Sequence, residues 1–139
     1  VRTVNVVDAT VPVITLSGEA TVQVEVKGTY VDAGVSATDS YDGDLTESVV
    51  MTGSVDLNSV GTYVLSYNVS DSSGNTIIQT QEVVIADTIA PVPNINPLPN
   101  LSAQCDLAEL IPPTATDNCD GQITGTTTIT LPIIELQTA

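Results

Sequence analysis

The chain has 139 residues, of which 17 are acidic and only two are basic, and its formal net charge is −15. A chain this acidic repels phosphate groups, which excludes nucleic acid and anionic membrane surfaces as partners. Disorder is the competing interpretation of an acidic chain with few aromatic residues. Because 42% of the residues are hydrophobic and many alternate with polar ones, we expect a folded protein. No apolar run approaches the roughly 18 residues of a transmembrane helix, so no membrane insertion is expected.

Two segments of the sequence occur twice at nearly the same offset. Residues 37–46 (ATDSYDGDLT) return at 115–124 (ATDNCDGQIT), 78 positions later, and residues 8–13 return at 87–92, 79 positions later. A fixed offset of this kind indicates tandem repeats. The repeat predicts three parts, which are the last strand of a preceding repeat (1–7), one complete repeat (8–86) and the N-terminal part of a following repeat (87–139).

Alternation of apolar and polar residues predicts β-strands throughout the complete repeat. Turn-forming residues such as Gly, Asn, Asp and Ser separate the strands. Six or seven short strands with turns at such spacing favour an immunoglobulin-like sandwich. The fold class predicted is therefore all-β, with tandem immunoglobulin-like sandwiches of which the second is incomplete. The predicted strands are 12–16, 21–27, 33–38, 47–54, 61–70 and 76–86, followed by 101–105, 113–116 and 126–131 in the incomplete repeat.

Four prolines stand at the start of the incomplete repeat, at positions 91, 93, 97 and 99. Proline lacks a backbone N–H and is confined mostly to edge strands. We therefore expect the prolines to keep this segment extended and to deter internal strand pairing.

Several short motifs, in order, carry a resemblance to a known family. The carriers include DATVPVITLSG (8–18), YVDAGV (30–35), DGDLT (42–46), GTY (61–63) and VSDSSGN (69–75). Together they resemble the bacterial immunoglobulin-like surface repeat. Residues 87–139 resemble a hyalin-repeat-like module, through Leu98-Pro99, Cys105 and ATDNCDG (115–121).

The resemblance implies a β-sandwich in a large extracellular or cell-surface adhesin, and modules of the second type occur in cargo of the type IX secretion system. The leading interpretation is a structural spacer or stalk repeat whose partners are neighbouring repeats of the same chain, with self-association into filaments as a further expectation. The alternative is a binding module for a carbohydrate or a protein. An enzyme is not expected, since the chain has no His, no Gly-x-Ser-x-Gly elbow and no phosphate-binding loop.

Acidic residues concentrate in segments that the sandwich would bring to one pole. Carboxylate and amide oxygens are the ligands of Ca²⁺. The alternative is that these residues only form turns, and the sequence leaves both interpretations open. The predicted Ca²⁺ ligands are Asp8, Asp39, Asp42, Asp44, Asp71 and Asn75. A second set is Asp87, Asp117 and Asp120, in a repeat where Gln122 replaces the third aspartate of the loop.

The two cysteines, Cys105 and Cys119, lie 14 positions apart in the incomplete repeat. Secreted chains commonly form disulfides, and an even count fits one. Further Cys or His ligands for a metal are lacking. We therefore predict a Cys105–Cys119 disulfide.

Overall fold

The computed structural model describes residues 1–95 and 112–126. The chain divides into two compact units, Val1–Thr88 (unit 1) and Ile89–Ala139 (unit 2). In the described part of the chain, no helix is long and apolar enough to cross a membrane.

Unit 1 consists of two sheets. Its strands are β1 (Val13–Leu16), β2 (Thr21–Glu25), β3 (Val35–Asp39), β4 (Gly43–Asp44), β5 (Val50–Thr52), β6 (Gly61–Ser70) and β7 (Thr76–Ala86). One sheet has the order β1-β3-β4 and the other β2-β7-β6-β5. A 3-10 turn at Thr46–Ser48 occupies the first part of the predicted strand 47–54, so that strand is shorter than expected.

The chain changes sheet between β1 and β2. Strand β1 pairs antiparallel with β3, whereas β2 pairs with β7 in parallel, from Thr21 beside Glu82 to Glu25 beside Ala86. The remaining pairs of unit 1 are antiparallel, and β6 with β7 is the longest. In chain order β2 is the first strand of the larger sheet and β7 is the last, and these two strands are direct neighbours.

Alternate residues of the strands form the core. Strand β6 buries Leu65, Tyr67 and Val69, and β7 buries Val83 and Ile85. The other sheet adds a residue from each of two strands to the buried set, Ile14 and Ala37. Period-two alternation places these side chains on one face of each strand. The predicted all-β, immunoglobulin-like sandwich is confirmed.

A tyrosine fixes the start of β6. The Tyr63 hydroxyl donates a hydrogen bond of 2.9 Å to the Ser59 carbonyl oxygen, four residues upstream. Such a tyrosine corner on the penultimate strand is a feature of immunoglobulin-like folds. The predicted strand 61–70 is therefore present, and this hydrogen bond holds its start to the preceding turn.

One polar side chain of the core is satisfied by three hydrogen bonds. Gln81 is 3% exposed, and its Oε1 accepts from the hydroxyl groups of Tyr30 at 2.8 Å and Tyr67 at 3.4 Å. Its Nε2 donates to the Glu19 carbonyl at 2.7 Å. Burial and the nearby Asp32 carboxylate raise the pKa of Tyr67 and Tyr30. The network joins β6 and β7 to the turns before β2 and β3.

The described part of unit 2 contains one small sheet. Strands β8 (Val92–Pro93), β9 (Thr114–Asp117) and β10 (Gly121–Thr124) are arranged in the order β10-β9-β8. The prolines were expected to deter strand pairing, yet Pro93 lies in a paired strand, because β8 pairs with β9. Proline is tolerated there since β8 lies at the edge of this sheet.

Some predictions remain untested. Residues 1–7 form no strand, and the strands with which they would pair belong to the preceding repeat that the sequence predicts. The interpretation of these residues as a closing strand stays a prediction. The predicted strand 101–105 and nearly all of 126–131 lie outside the described residues.

Candidate metal centre

Asp39 ends β3 and organises the turn that follows it. Its Oδ1 accepts hydrogen bonds from the backbone N–H groups of Tyr41 at 2.7 Å and Asp42 at 3.1 Å. Gly43 closes the turn with a φ of 78°, a left-handed conformation that glycine adopts at little cost. The turn therefore uses one carboxylate oxygen of Asp39 and leaves the other available.

Asp71 occupies the corresponding place at the end of β6. Its Oδ1 accepts from the Asn75 N–H at 2.8 Å, and its Oδ2 accepts from Asn75 Nδ2 at 2.6 Å. Burial would raise the pKa of Asp71, but these bonds and those from the N–H groups of Ser73 and Gly74 outweigh it and lower the pKa. The carboxylate is thus held in its charged form.

Asp8 comes from the segment that precedes β1. Its Oδ1 accepts from the Thr10 N–H at 2.9 Å, and its backbone carbonyl accepts from Asn75 Nδ2 at 3.3 Å. Four residues later Pro12 is fully buried, which anchors the segment to unit 1. Asn75 therefore contacts both Asp8 and Asp71.

Three of the predicted ligands meet in space. Asp8, Asp39 and Asp71 each offer a carboxylate oxygen, and these oxygens all lie within 4.8 Å of one another. Asp39 and Asp71 are 8% and 7% exposed. Asp8 Oδ2 and Asp39 Oδ2 are buried and accept no hydrogen bond from the described residues. Oxygen-only ligands of this type suit a hard cation such as Ca²⁺.

The other two predicted carboxylates have different neighbours. Asp42 accepts hydrogen bonds from the Ser72 N–H at 2.7 Å and the Ser72 hydroxyl at 2.8 Å, which ties the β3–β4 turn to the β6–β7 turn. Asp44 accepts from the Thr46 N–H at 2.9 Å, and hydrogen bonds from Thr46 lower its pKa. Neither belongs to the three-carboxylate group, because the Asp42 carboxylate bonds to Ser72 and the Asp44 carboxylate bonds to Thr46.

The second predicted set is divided between the two units. Asp87 lies in unit 1, whereas Asp117 and Asp120 lie in unit 2. Asp117 Oδ1 accepts from the N–H groups of Cys119 at 2.7 Å and Asp120 at 2.9 Å, as Asp39 does in its own turn. Metal binding by this set stays a prediction.

One of the two cysteines of the predicted disulfide lies among the described residues. Cys119 is half-buried in the turn after β9. Its predicted partner, Cys105, lies outside the described residues. The Cys105–Cys119 bond therefore stays a prediction.

A two-sheet sandwich in which the chain changes sheet between its first two strands, and in which the penultimate strand carries a tyrosine corner, is an immunoglobulin-like module. A family model for the Ig-like domain of bacterial surface proteins matches residues 14–85, which is more than half of the chain. The chain belongs to this family, and its location is surface-associated.

Two solved structures are similar to the chain. One is the lipoprotein BT2262 from Bacteroides thetaiotaomicron, with 29% sequence identity and a TM-score of 0.51 over 59% of this chain and 43% of that chain. The other, from Clostridium perfringens ZmpB, contains CBM51-2 in complex with GlcNAc and INT domains, with 28% identity and a TM-score of 0.44. The match to this second structure covers 55% of this chain and 17% of that chain. The chain thus spans less than half of either protein. No curated protein matches it.

Proposed function

We propose that the chain is a structural spacer from the stalk of a large bacterial cell-surface or secreted adhesin or filament. In this proposal, tandem sandwiches project a functional tip, and Ca²⁺ stiffens the point where the chain enters unit 1. The proposal includes a hyalin-repeat-like identity for the second repeat, export by a type IX system, and neighbouring repeats as the main partners. It assigns no enzymatic activity.

The observation that carries the proposal is that the chain enters and leaves unit 1 at opposite poles. Asp8 contacts Asn75, immediately before β7, at what we call the near pole. Strand β7 then runs 11 residues to Ala86, at the far pole. At about 3.3 Å per residue it spans roughly 36 Å. A unit with its two ends so placed adds nearly its full length to a stalk.

The pairing of β2 with β7 suits such a unit to bear tension. Pulling on the two ends draws the N-terminal segment away from unit 1 at the near pole and draws the end of β7 away from unit 1 at the far pole. Because β2 and β7 are parallel neighbours, their hydrogen bonds are loaded together in shear. At the far pole, Glu25 at the end of β2 accepts hydrogen bonds from the Thr88 N–H at 3.0 Å and hydroxyl at 2.6 Å. The chain beyond β7 is therefore held to β2.

The test is force spectroscopy on the whole chain, pulled from its two ends. We expect the Gln23→Pro substitution, in the middle of β2, to lower the unfolding force of unit 1 because proline disrupts strand pairing. A matched control is Thr52→Pro in β5, the opposite edge of the same sheet. If both variants lower the force equally, or if the wild-type unit unfolds at negligible force, the spacer proposal fails.

A binding module is the second candidate, and one observation favours it. On the outer face of the larger sheet, Val50, Val64 and Ile78 are 60%, 47% and 58% exposed. Exposed apolar patches can mark interaction sites. The test is binding of the whole chain to a glycan panel and to itself, with a Val64→Ser, Ile78→Ser variant as the control. Loss of a measured interaction in this variant would favour the binding module.

A further inference from the structure

We propose that unit 1 binds one Ca²⁺ ion through Asp8, Asp39 and Asp71, and that this ion fastens the N-terminal segment to the near pole. This ion and its three ligands would produce the stiffening of the entry point, and only that mechanical consequence rests on the proposed spacer function. Binding itself can be measured without reference to force.

The first step is electrostatic. Three carboxylates with oxygens within 4.8 Å of one another repel strongly. Among the described residues, the hydrogen bonds to them come from backbone N–H groups and from the Asn75 side chain. A divalent cation would turn this repulsion into attraction.

The second step concerns the two unpaired oxygens. Asp39 is more than nine-tenths buried, yet its Oδ2 and the buried Oδ2 of Asp8 accept no hydrogen bond from the described residues. A buried carboxylate oxygen without a partner is costly. In both residues a backbone N–H holds Oδ1, so the side chain is fixed while Oδ2 stays available. This is the arrangement of a preformed ligand set.

The chemistry of the ligand atoms indicates which ion would bind. The ligands are hard carboxylate oxygens, which suit Ca²⁺ or Mg²⁺ rather than a thiolate- or imidazole-binding metal. Oxygens bound to Ca²⁺ lie about 2.4 Å from the ion, and two of them can be up to about 4.8 Å apart. Half a turn of the Asn75 amide would present its Oδ1 to the same cluster, and water would complete the six to eight ligands that Ca²⁺ takes.

The fourth step is the consequence for the chain. The ligands come from three separate segments, which are the stretch before β1, the end of β3 and the end of β6. Among the described residues, Asp8 is joined to the β6–β7 turn by the 3.3 Å hydrogen bond that Asn75 Nδ2 donates to its carbonyl oxygen. Ion binding would join the N-terminal segment to both turns at once.

The experiment measures thermal unfolding of the whole chain by tyrosine fluorescence, because the four tyrosines (30, 41, 63 and 67) all lie in unit 1. Calcium chloride is titrated against chelator at constant ionic strength. Extracellular sites bind Ca²⁺ with Kd values of about 10⁻⁴–10⁻³ M. At roughly ten times Kd, we expect Tm to rise by about 6–11 °C.

The variants are chosen to keep the turns intact. Asp39→Asn and Asp8→Asn each retain the Oδ1 acceptor of the turn and remove the charge. Both should lose most of the shift, and in chelator Asp39→Asn should melt no lower than the wild type because a repulsion is relieved. The matched control is Asp56→Asn, since Asp56 is exposed and holds the Asn58 N–H at 3.0 Å in the same kind of turn.

The outcomes separate the site from its alternatives. A shift retained in Asp56→Asn and lost in the two cluster variants supports the proposal. A shift that is equal in Asp39→Asn and the wild type overturns it, as does an equal loss in Asp56→Asn, which would mean diffuse screening. An equal shift with magnesium chloride overturns the choice of Ca²⁺. In each of these cases the force experiment on β2 and β7 would still test the spacer function.

Discussion

The turn after β3 in unit 1 and the turn after β9 in unit 2 are made in the same way. In each, a buried aspartate ends a strand and its Oδ1 accepts two backbone hydrogen bonds, at 2.7 and 3.1 Å for Asp39 and at 2.7 and 2.9 Å for Asp117. In each, a glycine with positive φ closes the turn, 78° at Gly43 and 74° at Gly121. The turns are therefore a local property of the repeated sequence.

The surroundings of the two turns differ. Around Asp39, unit 1 brings the carboxylates of Asp8 and Asp71, and Ser72 bonds to Asp42. The described residues of unit 2 bring no equivalent carboxylate group around Asp117. Among the described residues, the same aspartate-glycine turn therefore occurs with and without neighbouring carboxylates, and only in unit 1 do other segments bring Asp8 and Asp71 to it.

The largest effect should come from the core that holds these segments together. Ile85 is 2% exposed on β7, and Ile85→Ala should lower the free energy of unfolding of unit 1 by about 2–5 kcal/mol because it leaves a cavity. Urea unfolding followed by tyrosine fluorescence measures this. The control is Ile78→Ala on the outer face of the same strand, where Ile78 is exposed and the change should stay within about 0.5 kcal/mol. Equal effects would contradict the assigned face of β7.

The next largest effect should come from the buried glutamine. Gln81→Leu removes the acceptor of the Tyr30 and Tyr67 hydroxyls and the donor to the Glu19 carbonyl. Leaving buried polar groups unpaired costs about 1–3 kcal/mol. The same urea assay applies, with Gln79→Leu on β7 as the control. Wild-type stability of the Gln81 variant would show that the hydrogen-bond network contributes little to the free energy of unfolding of unit 1.

Alkaline pH should destabilise unit 1 selectively. In the unfolded chain Tyr30 and Tyr67 ionise near pH 10, whereas burial and the Asp32 carboxylate raise their pKa in the folded unit. The stability gained by holding these protons is full below about pH 10 and is lost as the pH rises from there toward the raised pKa. Unfolding free energies at increasing pH, read by tyrosinate absorbance, check the slope. Tyr67→Phe should reduce it, and a flat profile for the wild type would refute the prediction.

The smallest effect compares the two turns directly. Asp42→Ala removes the bonds from Ser72, so we expect unit 1 to lose about 0.5–1.5 kcal/mol. Asp120→Ala, at the corresponding exposed position, should change unit 2 by less than about 0.5 kcal/mol. Scanning calorimetry of the whole chain measures both. A double-mutant cycle with Ser72→Ala isolates the loop-to-loop bond, and a coupling energy near zero would contradict it.

Much of the fold could be predicted because its signals are local. Strands β6 and β7 occupy the predicted residues 61–70 and 76–86, since long alternating runs have no competing period. Short elements were less accessible. Strand β4 has two residues and β8 contains a proline, so their pairing depends on neighbours and not on their own sequence. The parallel pairing of β2 with β7 was not foreseen either, because a pattern of alternation carries no direction.

By itself the sequence determined the repeated turns, the position of most strands and the segments in which acidic residues concentrate, because turn formation by Asp and Gly and the alternation of Val with polar residues act over a few residues. Only the tertiary structure decided which carboxylates meet. It selected Asp8, Asp39 and Asp71, which are 31 and 32 positions apart, and gave Asp42 to Ser72 and Asp44 to Thr46. The physical reason is that a cluster of like charges gains nothing locally and exists only where the packing of two sheets holds its segments together.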